Sequence, residues 1–292
     1  MNNTPEGKVE PHPFYAATFG CILLLGLPLN AVSLWILLRR HSLKSPSAVF
    51  MVNLALSDML LATSLPMRVY FYATGTWPLG IKACNCITMF FRNNIRSSSI
   101  FITFISVDRL LAVVYPLRSR HVRTSANAWR AAVLVWLILL AVNVPESMNF
   151  SKRLHNYNKS LCFEFAQAGP APSVPVICFQ AVLWLVLLVV LIVCTAVVSW
   201  TLHKHLNQTT RISNRMNVML IFVLNLAMFA VCFTPLTISA FTTHPESVKR
   251  ALICLATANC CLDPLLYYFS MDAFWKKKQD VDPTKEESPD QQ

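Results

Sequence analysis

Charge is scarce in this chain: Asp, Glu, Lys and Arg make up 13% of its 292 residues, against 55% hydrophobic. A water-soluble domain carries about 25% charged residues, so most of this surface is not built to face water. Glycine is scarce as well, at 6 residues. No segments of about ten residues alternate apolar and polar positions, which excludes a transmembrane barrel. A catalytic Ser/His arrangement, a paired metal-ligand motif and an inverted internal repeat are all lacking, which argues against an intramembrane enzyme or a transporter. The first 13 residues contain no basic segment leading into an apolar core. No cleavable signal peptide is therefore expected, and the first span is expected to serve as its own insertion signal.

What the chain has is apolar length. Its mean hydropathy is +0.48. A helix needs roughly 20 apolar residues to cross a bilayer. Seven stretches reach that length, near 14–38, 48–73, 81–114, 128–149, 174–202, 213–241 and 247–271. They predict an all-α protein: an N-terminal segment at 1–13, a seven-transmembrane helix bundle at 14–271 and a tail at 272–292. The longest connection, about 150–173, is a loop. Basic residues set the orientation. Arg39, Arg40, Lys44, Arg118, Arg120, Arg123, Lys204, Arg211, Arg215, Lys276, Lys277 and Lys278 fall on one side. Lys8, Lys82, Lys152, Arg153, Lys159, Lys249 and Arg250 fall on the other. The richer side is expected to be cytoplasmic, with the N-terminus outside, the C-terminus inside and the plasma membrane as location. The net charge of +11 is mostly this asymmetry, so no nucleic-acid partner is inferred. Sequons at Asn2, Asn149 and Asn158 would lie outside, Asn149 close to the membrane, and the one at Asn207 inside.

Most of the ten cysteines (Cys21, Cys178, Cys194, Cys232, Cys254, Cys260 and Cys261 among them) sit in apolar spans and read as small buried apolar residues. Cys162 lies in the long outer loop, and both Cys84 and Cys86 at the outer end of the third span. An oxidising exterior permits a bridge from Cys162 to either.

Ionisable residues inside spans are costly, at roughly 2.5–3.5 kcal/mol at a helix centre on insertion scales. They should face other helices or a wet cavity. The spans contain Asp58, Arg92, Arg96, Asp108, Arg109 and Asp263, with Arg68 and Glu146 nearer the outer ends. Arg92 and Arg96 are four apart and share a helix face. Two readings stand. In one, these cations are neutralised by carboxylates or carbonyls and only join helices. In the other, a single pair such as Arg92–Glu146 leaves a positive cavity for an anionic head group. Pro28, Pro66, Pro145, Pro235 and Pro264 interrupt spans, and Pro235 and Pro264 are the better hinge candidates.

Motifs run in order along nearly the whole chain. They are Gly26-Leu-Pro-Leu-Asn30, Asn53-Leu-Ala-Leu-Ser-Asp58, Asp108-Arg109-Leu110, Trp136 and Pro145, Phe229-x-x-Cys232-Phe233-x-Pro235, and Asp263-Pro264-x-x-Tyr267, followed by a basic segment with Phe274. Each is weak alone; the set resembles a rhodopsin-like (class A) G-protein-coupled receptor. Asp263-Pro264, Phe233, the run Ser64-Leu-Pro-Met-Arg68 and the run from Ala258 to Phe269 are similar to the purinergic, protease-activated and lysophospholipid branch, most of all to a lysophosphatidic acid receptor. The resemblance implies a short amphipathic eighth helix, a Cys84–Cys162 disulfide and a heterotrimeric G protein as partner. It implies a cytoplasmic latch at Arg109, paired with Asp108 at rest. A sodium pocket would be formed by Asp58, Ser98, Asn259 and Asp263, with no other cofactor. Phe229, Phe233 and Pro235, with Pro264 and Tyr267, would relay ligand contact into a swing of span six.

Departures from the family pattern stand beside these matches. Leu185 aligns with the family's proline in span five, Val193 with its inward tyrosine, and Leu110 follows Asp-Arg in place of tyrosine. No cysteine follows Cys261 to carry a palmitoyl anchor, and Thr284 and Ser288 are the few tail hydroxyls. The expected ligand is a small anion of lysophospholipid, nucleotide or carboxylate type. Arg68, Arg92, Arg96 and Glu146 would hold it, with Lys249 and Arg250 at the rim. The alternative keeps the fold but not the signalling: an orphan, weakly coupled or ligand-scavenging receptor.

Overall fold

The computed structural model describes residues 10–39, 43, 45–156, 162–163, 174–204, 212–242 and 244–268. Among them are seven helices long and apolar enough to cross a membrane. These are α1 (Pro13–Arg39), α2 (Pro46–Thr74), α3 (Gly80–Val114), α4 (Ser125–Asn156) and α5 (Val174–Lys204). The sixth, α6, is built from Ile212–Met228, Phe229–Phe233 and Thr234–Ser239, and α7 spans Glu246–Tyr268. No strand occurs among the described residues. The chain is a multi-pass membrane protein with seven spans. The expected eighth helix with Phe274, the sequons at Asn2 and Asn158, and Lys159 lie outside the described residues.

Local chemistry sets the helix ends. Pro46 opens α2 behind Ser45, where its missing N–H costs nothing and its φ is already helical. Gly75 closes that helix at φ 68°, its N–H donating to the Phe71 carbonyl, the left-handed cap that glycine adopts without strain. At the start of α4, the Thr124 hydroxyl accepts the Asn127 N–H at 3.2 Å, satisfying one orphan donor of the first turn. In α6 the five residues Phe229–Phe233 form a π-helical turn just before Pro235, which removes an N–H and collides with the preceding turn. The widened turn absorbs that defect.

Apolar side chains cover the outside. Leu24, Trp35, Leu137, Val182, Val189 and Trp200 are all exposed, as lipid requires. The interior holds Phe19, Leu54, Leu61, Phe101, Phe229 and Tyr267, all nearly inaccessible. Sparse polar bonds tie the helices. Trp136 Nε1 on α4 donates to Asn53 Oδ1 on α2 at 2.9 Å. Asn30 Nδ2 on α1 donates to the Cys260 carbonyl on α7 at 2.6 Å. Gly26 allows that second approach, because a Cβ there would meet Cys260 Sγ at 2.9 Å. Small residues at such crossings let membrane helices touch.

Two expectations need correcting. The fourth helix continues to Asn156, and its membrane-length stretch runs to Lys152. Asn149 therefore lies within the helix and not beyond its end. On α5 the buried stripe is Leu187, Leu191, Cys194 and Val198, at the three- and four-residue spacing of one helix face. Leu185 and Val193 lie off it and are exposed. The inward position next to Val193 is taken by Cys194.

Candidate ligand pocket and polar switch

Cys84 of α3 and Cys162 are joined by a disulfide. The bridge marks one end of the bundle, where α2 ends and α3 begins, and Cys86 remains a free, exposed thiol. It also positions the next residue. Phe163 lies over the Arg68 guanidinium, with Cζ 4.5 Å from the ring centroid. Phe91 of α3 presents a second face at 4.8 Å, and Phe19 of α1 a third at 5.9 Å. Arg68 is 3% exposed. Its Nε has no hydrogen-bond partner, and no carboxylate among the described residues pairs with it. Aromatic faces attract a desolvated cation by about 2 kcal/mol or more each, so the three together are of the same order as the several kcal/mol that its burial costs. A charge this enclosed without an anion is uncommon.

Arg92 and Arg96 have a different setting. Glu146 binds both: Oε1 is 3.1 Å from Arg92 Nη1 and Oε2 is 2.8 Å from Arg96 Nη1. Arg96 also donates through Nε to Gln180 Oε1 at 2.9 Å and through Nη1 to Asn143 Oδ1. Asn143 in turn donates to Asn93 Oδ1 at 2.9 Å. One carboxylate thus serves two arginines, where the sequence suggests a single Arg92–Glu146 pair. The cluster joins α3, α4 and α5. Arg92 is also stacked on Phe150 at 4.9 Å, and it lies within electrostatic reach of Arg68.

The rim residues form a third group. Lys249 Nζ contacts Glu246 Oε1 at 3.4 Å, and Arg250 lies over the Tyr15 ring at 5.4 Å. The six residues predicted for ligand contact therefore do not form one ring. Arg68 stands apart as an enclosed cation with no carboxylate partner among the described residues.

Midway down the bundle, Asp58 and Asp263 are both fully buried and within hydrogen-bonding reach of one another. Asn94 Nδ2 donates to Asp58 Oδ1 at 2.9 Å, Ser98 Oγ to the same atom at 3.5 Å, and Asn259 Nδ2 to Asp263 Oδ2 at 3.3 Å. Asp58 Oδ2, Asp263 Oδ1, Asn259 Oδ1 and Asn94 Oδ1 have no hydrogen-bond partner. Four orphaned buried oxygens, two of them from carboxylates, suit a hard monovalent or divalent cation or a shared proton. Asn94 is not a residue that the sequence singles out. A neutral amide on α3 gives no signal until α2 is packed against it.

Toward the opposite end, Asp108 accepts two bonds from Arg123, at 2.8 Å from Nε and 3.2 Å from Nη2, and one from Ser47 Oγ. Neither partner is evident from the sequence, which pairs Asp108 with Arg109 alone. Phe229 and Phe233 meet edge to face at 5.7 Å, and Trp184 Nε1 on α5 donates to Thr234 Oγ1 beside the π turn at 3.1 Å. Asn225 Nδ2 on α6 donates to Ser106 Oγ on α3 at 2.7 Å, with Asn225 fully buried. Pro264 and Tyr267 are buried on α7.

Residues 29–267 match the family profile of the 7 transmembrane receptor (rhodopsin family). Lysophosphatidic acid receptor 4 of Mus musculus is 33% identical over 89% of this chain and 75% of its own length. Lysophosphatidic acid receptor 6 of Gallus gallus is 31% identical over 92% and 94%. S-geranylgeranyl-glutathione receptor P2RY8 of Homo sapiens is 32% identical over 88% and 76%. With its seven spans, the order of its motifs and these relatives in agreement, the chain belongs to the rhodopsin family of seven-transmembrane receptors, a family of receptors and not of enzymes.

Proposed function

We propose that this receptor binds a small anionic lipid, a lysophospholipid first of all, and activates a heterotrimeric G protein. The observation that carries the reading is Arg68, an enclosed guanidinium with no carboxylate partner among the described residues. Arginine's planar fork matches phosphate or carboxylate oxygens, and desolvation strengthens that contact. The relatives named for lysophosphatidic acid and for S-geranylgeranyl-glutathione support a ligand with one apolar chain and an acidic head. Arg92 adds positive potential, and Lys249 and Arg250 stand at the rim. Arg96 and Glu146 act mainly to hold α3, α4 and α5 around the head group.

The signalling half follows from the other end. The disulfide end faces outward and the Asp108 end the cytoplasm of a plasma-membrane receptor, where Arg109 would meet the G protein. At rest, Arg123 and Ser47 hold Asp108, and Asn225 holds α6 to Ser106. Ligand binding biases a two-state movement of α6 about its π turn and Pro235. The absence of tyrosine from α5 favours a second reading, in which the receptor binds ligand but couples weakly. G-protein dissociation in cells, challenged with lysophospholipids, nucleotides and simple carboxylates, separates the two. The expected result is a response to lysophospholipids. A surface-expressed receptor with neither basal nor ligand-driven dissociation would leave only the second reading.

Asp58, Ser98, Asn259 and Asp263, with Asn94, would hold a sodium ion that favours the resting state. Two facing carboxylates in an apolar bundle need such a counter-charge. Replacing sodium by choline should then raise agonist affinity, and Asp58→Asn should remove that dependence. Equal sodium sensitivity in wild type and variant would exclude the site.

A further inference from the structure

The buried stripe of α5 continues past Leu187. One turn nearer the start of the helix it reaches Trp184, at the three- and four-residue spacing of Leu187, Leu191, Cys194 and Val198. That spacing keeps one helix face turned inward. Inside a membrane bundle an indole N–H needs an acceptor from the protein. Trp184 finds one on the next helix, Thr234 Oγ1 of α6 at 3.1 Å. Thr234 passes the bond on. Its hydroxyl donates to the Phe229 carbonyl at 3.3 Å, and its own N–H closes the π turn on that same carbonyl. The three residues form one hydrogen-bonded chain, each bond polarising the next. Ser199 Oγ also reaches from α5 to α6, at 3.6 Å from Met219 Sδ, but a thioether is a weak acceptor. Among the described residues, Trp184 therefore supplies the firm polar link between these two helices.

α6 is held on the far side of the π turn as well. Asn225 Nδ2 donates to Ser106 Oγ of α3 at 2.7 Å, and Phe229–Phe233 lie between the two anchors. A π turn closes its bonds one residue further along than an α turn, so it stores one residue of extra rotation. Relaxed to regular α-helix, the two parts of α6 would turn against each other by about 100°, at 3.6 residues per turn. Thr234 could then face Trp184, or Asn225 could face Ser106, but not both. With both bonds made, the extra residue is locked in place. Pro235 accounts for an irregular turn here; the two anchors fix its phase.

We infer that Trp184 is a positioning residue for signalling: its bond to Thr234, opposed by that of Asn225 to Ser106, holds α6 in the rotation of the resting receptor. Without that bond the π turn relaxes and the two parts of α6 re-phase, which is the movement an agonist has to produce. The inference rests on the two-state movement of α6 proposed above and adds the contact that sets its resting end. An interaction made in one state and not in the other shifts the equilibrium by its own worth. One neutral hydrogen bond corresponds to roughly two- to tenfold. That is enough to raise basal signalling and far short of a full switch.

The test removes the bond from each side with little change of shape. Trp184→Phe deletes the donor, Thr234→Val deletes the acceptor, and Thr234→Ser keeps it. Two readouts are taken on the full-length receptor: amide hydrogen exchange of the α6 peptide covering Phe229 to Ser239 in nanodiscs, and basal G-protein dissociation in cells at matched surface expression. Trp184→Phe and Thr234→Val are each expected to speed exchange in that peptide and to raise basal dissociation by roughly two- to tenfold. Thr234→Ser should behave as wild type. Combining Trp184→Phe with Thr234→Val should add nothing further, because both remove the same bond. Full additivity of the pair would overturn the inference. So would wild-type exchange and basal dissociation in both single variants, or a lower melting temperature with neither readout raised, which would reduce Trp184 to packing. Faster exchange with no dissociation in any variant, basal or agonist-driven, would keep the brace on α6 and sink the G-protein reading instead.

Discussion

Arg68→Ala is expected to abolish the response to an anionic lipid agonist at normal surface expression, with the receptor about as heat-stable as wild type when no ligand is present. The two halves of this result have one cause. Arg68 is buried beneath Phe19, Phe91 and Phe163 with no carboxylate partner among the described residues, so its removal relieves a desolvation cost of several kcal/mol. The three lost cation–π contacts, about 2 kcal/mol or more each when desolvated, offset that relief to within a few kcal/mol. In the complex, the same removal leaves the ligand's acidic head buried and unpaired. Such truncations cost roughly 2–5 kcal/mol, or about 30-fold to a few thousand-fold in affinity. Arg68→Lys keeps the charge but loses the fork, and should fall between. Radioligand binding with a thermal-shift measurement on the same preparations reads both halves. A large fall in stability of the ligand-free Arg68→Ala receptor would make Arg68 a structural residue and remove the main support for an anion pocket.

Glu146→Gln should behave in the opposite way and destabilise the receptor whether or not ligand is present. Glu146 is the shared anion of Arg92 and Arg96, and the Arg96 side chain is only 4% exposed. Removing one partner of a buried pair costs roughly 3–5 kcal/mol, because the other charge is left uncompensated. A marginally stable protein has about 5–15 kcal/mol in all, so surface expression and melting temperature should both fall. The double substitution Arg96→Met with Glu146→Leu removes the buried arginine with its carboxylate and should recover part of the loss, since Arg92, 30% exposed, still loses Glu146. A Glu146→Gln receptor as stable as wild type but unresponsive to agonist would return Glu146 and Arg96 to direct ligand contact. The contrast between Arg68 and Arg96 is one of partners and not of burial. Both are 3% exposed, yet Arg96 has Glu146, Asn143 and Gln180 around it.

That contrast also marks how far the sequence can be read. Apolar length is a local property, so all seven spans are legible, their ends displaced by a few residues. At the end of span four the shift matters, because it draws Asn149 into the helix. The motif order shows the family for a similar reason: each motif lies within one helix. Partners are different. Arg96 finds Asn143 and Gln180 on two other helices, 47 and 84 residues away, and neutral amides have no periodicity to betray them. Asn94 at Asp58, Ser47 and Arg123 at Asp108, and Asn225 at Ser106 are invisible in the sequence for the same reason. Facing is also tertiary in α5. Its residues are apolar almost throughout, so no polar face shows which side turns inward, and Val193 reads as inward when it faces out.

The seating of Phe163 over Arg68 has a kinetic consequence. The disulfide at Cys162 holds that ring over the guanidinium, an aromatic side chain on a short tether. An acidic head seated on Arg68 would share the guanidinium with that ring, so its escape would be timed by the tether as well as by the charge pair. Opening the bridge with a reductant, which leaves Arg68 itself untouched, would then shorten ligand residence more than it slows arrival.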